Sequence, residues 1–247
     1  MKIDFSNKTV IVTGGTRGIG AAIVELFQQC NADVIATGTD TKEMDRINRD
    51  PSGGKLKYIH LDFNSSDSVQ SFLDFINKRD RIDVLINNAG VNKIATIDKI
   101  DEDEWDWINK VNLRGPFLLT KAVSEIMKKQ GYGRILNIAS IFGVVSKVKR
   151  AAYSTTKWGL VGFTKAVALD LAPHNILVNA VSPGFVDTEL TRKILGNKEI
   201  KELIDTIPQK RLADAGEIAK TVVFLTSHHN TYITGQNIIV DGGFTSA

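Results

Sequence analysis

Residues 9–29 read TVIVTGGTRGIGAAIVELFQQ: a short β-branched apolar run, a glycine-rich turn, and a stretch of helical period. The run from Thr9 to Thr13 is apolar nearly throughout rather than alternating, as in a strand covered by helices on both faces. Gly14, Gly18 and Gly20 follow in the spacing G-x-x-x-G-x-G, and the last two open the helix. Glycines allow a tight turn and a close backbone approach, and the free N–H groups of a helix N-terminus favour a pyrophosphate. On their own these glycines also fit a purely structural strand–helix turn. Their place at the first such turn favours a dinucleotide, with Gly14, Thr16, Arg17, Gly18, Ile19 and Gly20 as the candidate cradle.

Outward from this unit the pattern repeats. DVIAT (33–37), KLKYIHL (55–61), DVLINN (83–88), RILNIAS (134–140), ILVNAVS (176–182) and QNIIV (236–240) read as further strands. Helical patterns separate them: SSDSVQSFLDFINK, the stretch from Glu102 to Lys129, YSTTKWGLVGFTKAVALDLA and AGEIAKTVVFLTS, with Ser65, Ser66 and Asp67 as cap-type residues. Such alternation predicts an α/β fold: a doubly wound, seven-stranded, mostly parallel sheet with right-handed crossovers and helices on both faces. No composition break divides the chain, so one domain over 1–247 is expected. Residues 185–213 fit the alternation poorly and read as two short inserted helices, a candidate substrate lid.

Composition narrows the function classes. The chain has 247 residues, 43% of them hydrophobic, enough for one large core. A formal net charge of +3 comes with no long basic run or basic–aromatic stripe, which argues against nucleic acid. The start, MKIDFSNKTV, lacks the apolar stretch of a signal peptide, and no run is long enough to cross a bilayer. With a lone Cys30, a cytoplasmic protein is the expectation. The four histidines and one cysteine show no metal-site spacing, so no metal is expected.

The cofactor's identity turns on charge. NAD-selective sites place an acid at the end of the second strand to bond the ribose 2′-hydroxyl. Here that strand ends ATGTD, with Thr37, Gly38 and Thr39 where the acid would stand, and Arg17 offers a guanidinium to a 2′-phosphate. NADP is therefore favoured, with NAD kept open because a two-residue shift would bring Asp40 into place. Asp62, in HLDF, either meets the adenine edge or is a helix-capping or loop carboxylate. NNAG (87–90) either packs on the adenosine half, through Asn88, Ala89 and Gly90, or is simply a turn.

The chemistry concentrates in ASIFGVVSKVKRAAYSTTKWG (139–159). Tyr153 and Lys157 lie one helical turn apart on a shared face, and Ser140 ends the preceding strand. Alone, that spacing fits an ordinary half-exposed helix. It also fits an acid–base device in which Tyr153 protonates a carbonyl oxygen as hydride arrives and Ser140 steadies the developing charge. An ordinary tyrosine titrates near pH 10, and a cation about 4 Å away at an effective dielectric near 20 supplies about 4 kcal/mol, about three units. Lys157 is expected to lower the phenol's pKa by this route.

In order, TGGTRGIG, NNAG, Asn112 in KVNLRG, Ser140, YSTTK (153–157) and SPGFVDT (182–188) resemble the short-chain dehydrogenase/reductase family. The resemblance runs from Lys8 to the terminal DGGFTSA, and looks strongest towards beta-ketoacyl-acyl-carrier-protein reductases and related sugar or polyol dehydrogenases. It implies a Rossmann domain, a nicotinamide cofactor, catalytic Asn112, Ser140, Tyr153 and Lys157, and a homotetramer. It further implies that Tyr153 and Lys157 also touch the cofactor, Lys157 at the ribose, and that Asn112 holds a proton-relaying water. Pro183, Gly184, Val186 and Thr188 would complete the cofactor site, Thr188 at the carboxamide.

The substrate is less legible. Lys147, Lys149 and Arg150 border the expected substrate side, with Lys93, Arg192 and Lys193 nearby; they read either as an anion-attracting cluster or as solvated charge. Carrier-protein reductases of the family dock their partner through an arginine before the sixth strand and basic residues near the fifth. Lys128, Lys129 and Arg134 keep the second feature, but His174 stands in place of the first. The choices are an NADP-dependent reductase of a beta-ketoacyl thioester, a dehydrogenase of a sugar, polyol or hydroxy acid, and a non-catalytic dinucleotide-binding scaffold. The intact Asn112, Ser140, Tyr153 and Lys157 set argues against the last.

Overall fold

The computed structural model describes residues 2–49, 55–194 and 196–247. Among them, seven strands form one sheet: β1 (Thr9–Val12), β2 (Asp33–Gly38), β3 (Leu56–His60), β4 (Val84–Asn87), β5 (Gly133–Ile138), β6 (Ile176–Pro183) and β7 (Asn237–Val240). Their order is β3-β2-β1-β4-β5-β6-β7, and every pairing is parallel, so the expected "mostly parallel" sheet is wholly so. The flanking helices are α1 (Gly18–Gln29), α2 (Thr41–Asn48), α3 (Ser66–Asn77), α4 (Glu102–Asn109), α5 (Gly115–Gln130), α6 (Ala151–Leu171), α7 (Glu189–Ile194), α8 (Asn197–Thr206) and α9 (Ala215–Thr226). None among the described residues is long and apolar enough to cross a membrane.

Period two sorts the strand residues onto two faces. Val10, Val12, Ile86 and Leu136 pack with Ile23, Val24 and Phe27 of α1 and Ile218 and Val222 of α9. Ile11, Leu85, Ile135 and Val178 face the other way, against Phe72 and Ile76 of α3 and Leu119, Val123 and Met127 of α5. Covering both faces is why these strands read as unbroken apolar runs. Helix α2, which the sequence reading did not register, reaches the core chiefly through Met44 and Ile47.

Local signals set the ends. Ser65 caps α3 by accepting from Ser68 N at 3.3 Å, and Gly131, at φ 64°, ends α5. The expected helix from Glu102 onward is interrupted by a π-helical turn over Lys110–Arg114. A buried polar clasp then ties the layers together. Asn87 of β4 donates to Asn137 of β5 (2.8 Å) and Thr120 of α5 (3.3 Å), and Asn137 donates to Thr164 of α6 (2.8 Å).

The strand order changes its direction of progress between β1 and β4, the switch point at which open parallel sheets leave a crevice beyond their carboxyl ends. The glycine turn, NNAG, Ser140 and SPGFVDT follow β1, β4, β5 and β6 onto that one edge.

Candidate active site

At the β1 edge the glycine turn is built to expose backbone. Gly14 and Gly18 adopt φ 65° and 55°, and α1 starts with no side-chain cap and no acidic residue in its first turn. An uncapped helix start behind a glycine turn leaves N–H groups free for an anion, so these residues fit a dinucleotide pyrophosphate. Asn88 holds the turn in place. Its Nδ2 donates to Thr13 O (2.9 Å) and Gly14 O (3.0 Å), while Thr13 Oγ1 accepts from the backbone N–H of Asn88 and Ala89, both at 3.0 Å. Thr13 was not singled out from sequence, although it begins the glycine motif.

Several expected cofactor residues make bonds within the chain. Thr37 is 1% exposed and its hydroxyl accepts from Gly14 N at 3.3 Å, so it braces the turn instead of facing a ribose. β2 ends at Gly38, leaving Thr39 and Arg17 exposed, with Asp40 immediately ahead of α2. Thr16 covers Gly38 closely enough that a Cβ there would meet its methyl at 2.6 Å. Asp62 Oδ1 accepts from Asn64 N (2.8 Å), the loop role foreseen as its alternative. Thr188 accepts from Thr191 N at 3.2 Å, heading α7, and its methyl lies 3.5 Å from where a Gly18 Cβ would be. Pro183 and Val186 are buried, and Ile19 and Gly184 are partly so. Ala213 N donates to Phe185 O and Asp187 N to Ala213 O, both at 2.9 Å, closing the base of the insertion that holds α7 and α8.

Ser140, Tyr153, Lys157 and Asn112 come together from β5, α6 and the π-helical turn. Asn112, 1% exposed, pairs with the backbone of Val91 in both directions at 2.8 Å and donates to Thr156 Oγ1 at 3.1 Å. That double bond to a neighbouring loop explains the π turn: Asn112 is pinned by an outside partner, and the helix absorbs the offset with one extra residue. Thr156 belongs to YSTTK, yet its spacing alone gave no hint of this contact. Gly143 lets the loop after Ser140 close on α6, since a Cβ there would stand 2.8 Å from Lys157 O. Around Gly90 a Cβ would meet Asn112 Oδ1 and Lys157 Nζ, each at 3.6 Å.

The electrostatics correct one expectation. Lys157 is 3% exposed, its Nζ donates to Ile138 O at 2.8 Å and lies 5.6 Å from the Tyr153 ring centroid. Burial lowers its pKa to about 8. Burial pushes the Tyr153 phenol up, against the downward pull of a hydrogen bond with Ser140 and of the Arg150 guanidinium. Lys157 therefore does not depress the phenol here; it is turned towards a carbonyl and is itself destabilised as a cation. Ser140 accepts from Phe142 N at 3.1 Å, so its O–H is the donor it turns to the Tyr153 hydroxyl.

The cation cluster also resolves differently. Lys93 pairs with Glu104, and Arg192 is held by both oxygens of Asp187 at 2.7 Å. Arg134 is 5% exposed and bonds the carbonyls of Gly133 and Asn175, so it is structural and offers nothing to a docking partner. Lys128, Lys129, Lys147, Lys149 and His174 are exposed, and Arg150 is half-buried. The side chain of Lys193 lies outside the described residues.

A family model described as enoyl-(acyl carrier protein) reductase matches residues 14–245. The chain belongs to the short-chain dehydrogenase/reductase family. It is accordingly an oxidoreductase that uses a nicotinamide dinucleotide. Among curated short-chain reductases it is 40% identical to the 3-oxoacyl-acyl-carrier-protein reductase of Aquifex aeolicus, over 98% of this chain and 99% of that one. Among solved structures, a putative NAD(P)-dependent gluconate 5-dehydrogenase from Beutenbergia cavernae, with bound NADP at low occupancy, superposes with a TM-score of 0.93 at 29% identity, covering all of both chains. A protein described as belonging to the short chain dehydrogenase/reductase family reaches 0.89 at 30% identity, over 99% of this chain and 100% of that one.

In this short-chain reductase, Arg17 and Thr39 are the exposed donors past the ends of β1 and β2. Arg17→Ala is expected to shrink any preference for NADPH over NADH by about 10- to 100-fold, the worth of a lost charge-assisted bond. Paired fluorescence titrations check this; an unchanged ratio of dissociation constants would remove Arg17 from the phosphate site.

Proposed function

We propose that the protein reduces a 3-oxoacyl group, at best a beta-ketoacyl thioester, with NADPH. The observation that carries this reading is the convergence of Ser140, Tyr153, Lys157 and Asn112 beside the glycine turn, in a chain 40% identical to a 3-oxoacyl reductase along nearly its whole length. NADPH, when bound, supplies the hydride. Gly14 to Gly20 bind its phosphates, with Asn88, Ala89 and Gly90 along the adenosine side and Pro183 to Thr188 closing the far side. Tyr153 delivers the proton to the carbonyl oxygen, and Ser140, bonded to Phe142 N, turns its own O–H to the same oxygen. A phenol whose pKa is raised stays protonated at neutral pH, which suits an acid awaiting a carbonyl. Lys157 holds the ribose, and Asn112 keeps the Val91 loop and α6 in register.

The sign of the pH dependence follows from Lys157. The ammonium that holds the ribose is present only below its pKa of about 8. Reductive kcat/KM should therefore fall as pH rises through about 8. A profile flat across that value would mean that the Lys157 charge is not used in turnover.

A second reading, oxidation of a sugar or hydroxy acid, is favoured by two observations: the likeness to the gluconate 5-dehydrogenase, and the loss of Arg134 to a structural role. Acetoacetyl-CoA with NADPH, followed at the nicotinamide absorbance, tests between them; no cofactor oxidation would leave the second. We further propose a cytoplasmic enzyme acting as one domain over 1–247, with 185–213 as its lid, that assembles as a homotetramer. Phe117 on α5 and Trp158 and Leu169 on α6 are 47%, 52% and 78% exposed, apolar surface that a symmetry mate would cover. Sedimentation as a monomer would refute the assembly.

A further inference from the structure

Arg150 stands apart from the other cations. It is half-buried at the head of α6, three residues before Tyr153, and its guanidinium lies 5.3 Å from the centroid of the Phe142 ring. Phe142 in turn packs edge-on against Tyr153 at 6.3 Å and Phe185 at 6.4 Å. Arg150 Nη1 is shielded from solvent and has no hydrogen-bond partner among the described residues. Lys93, Arg192 and Arg211 each have a carboxylate, whereas the electrostatic neighbour of Arg150 is the Tyr153 hydroxyl. Lys149, just before it, is held at φ 66°, a region costly for a side-chain-bearing residue.

A guanidinium taken from water with an N–H unmatched is unfavourable unless something completes it. Arginine's planar fork suits a carboxylate above other partners. We infer that Arg150 is the receptor for a carboxylate on the substrate. The favoured substrates are then short oxo acids or hydroxy acids whose acid group lies a few bonds from the carbon that exchanges hydride. The inference rests on the reading of an oxo group reduced at Tyr153 and goes beyond it in the charge beside that carbonyl; a thioester, whose acyl carboxyl is esterified, offers Arg150 no carboxylate.

The test compares acetoacetate with methyl acetoacetate, which share the ketone and differ in charge, in NADPH-dependent reduction by wild type, Arg150→Gln and Arg150→Lys. Arg150 also acts on the Tyr153 hydroxyl, but that effect touches both substrates and cancels in the ratio of their kcat/KM values. Wild type should prefer the acid; Arg150→Gln should cut the acid-to-ester ratio about 10- to 100-fold, and Arg150→Lys should restore much of it. A ratio unmoved by Arg150→Gln, or a wild type that prefers the ester, overturns the inference. A measurement without turnover or mutation guards it: butyrate should bind the wild-type NADPH complex more tightly than butyramide, and equal binding overturns it too. Failure of acetoacetyl-CoA as a substrate alongside a preference for acetoacetate would sink the thioester reading and leave the carboxylate receptor standing.

Discussion

Tyr153→Phe should lower kcat by about 100- to 10,000-fold, the range spanned by loss of a positioned general acid, while the dissociation constant for NADPH hardly moves. The substitution removes one O–H and nothing else. The ring keeps its edge contact with Phe142 at 6.3 Å, and Asn112 and Thr156 keep the bond that ties α6 to the π-helical turn. These contacts hold α6 in place, and stopped-flow single turnovers beside NADPH titrations separate chemistry from binding. A variant with near wild-type turnover would mean that the proton comes from elsewhere, and the roles given to Ser140 and Lys157 would go with it.

Gly20→Ala should abolish useful dinucleotide binding, raising the NADPH dissociation constant at least about 100-fold, and should cost about 3 kcal/mol of stability. The added Cβ would lie 2.0 Å from Gly14 O and 2.5 Å from Asn88 Nδ2. Neither atom can yield cheaply. Asn88 is committed to Thr13 O and Gly14 O, and Thr13 Oγ1 to two N–H groups, so relief of the clash must open the turn that presents N–H groups to phosphate. For a chain of this size the loss corresponds to a drop of about 6–12 °C in Tm. An unchanged NADPH affinity in Gly20→Ala would mean that the dinucleotide does not use this turn.

Much of the fold was readable because it rests on local pattern. Each strand of a sheet covered on both sides must be apolar whichever way a residue points, so the runs at Val10–Val12, Val84–Ile86 and Ile135–Leu136 announce themselves. Helix α2 escaped notice because, among its described residues, Met44 and Ile47 are the apolar ones that reach the core, too few for a visible stripe. The π-helical turn was equally silent, since its cause is a pair of bonds between Asn112 and Val91, in another part of the chain. Thr37 and Asp62 occupy suitable places along the chain, but the Thr37 hydroxyl accepts from Gly14 N and one of the two Asp62 carboxylate oxygens from Asn64 N.

Sequence alone determined the alternation of strands and helices, the glycine turn at the sheet edge, and the identity of the groups that meet there. It could do so because turn chemistry and side-chain period act over a few residues. The fate of the charges was decided only by tertiary structure: Lys93 went to Glu104, Arg192 to Asp187 and Arg134 into backbone carbonyls, while Arg150 was left with an unmatched N–H near the phenol. Long cationic side chains choose partners by distance and dielectric in three dimensions, and neither quantity is written in the order of the residues.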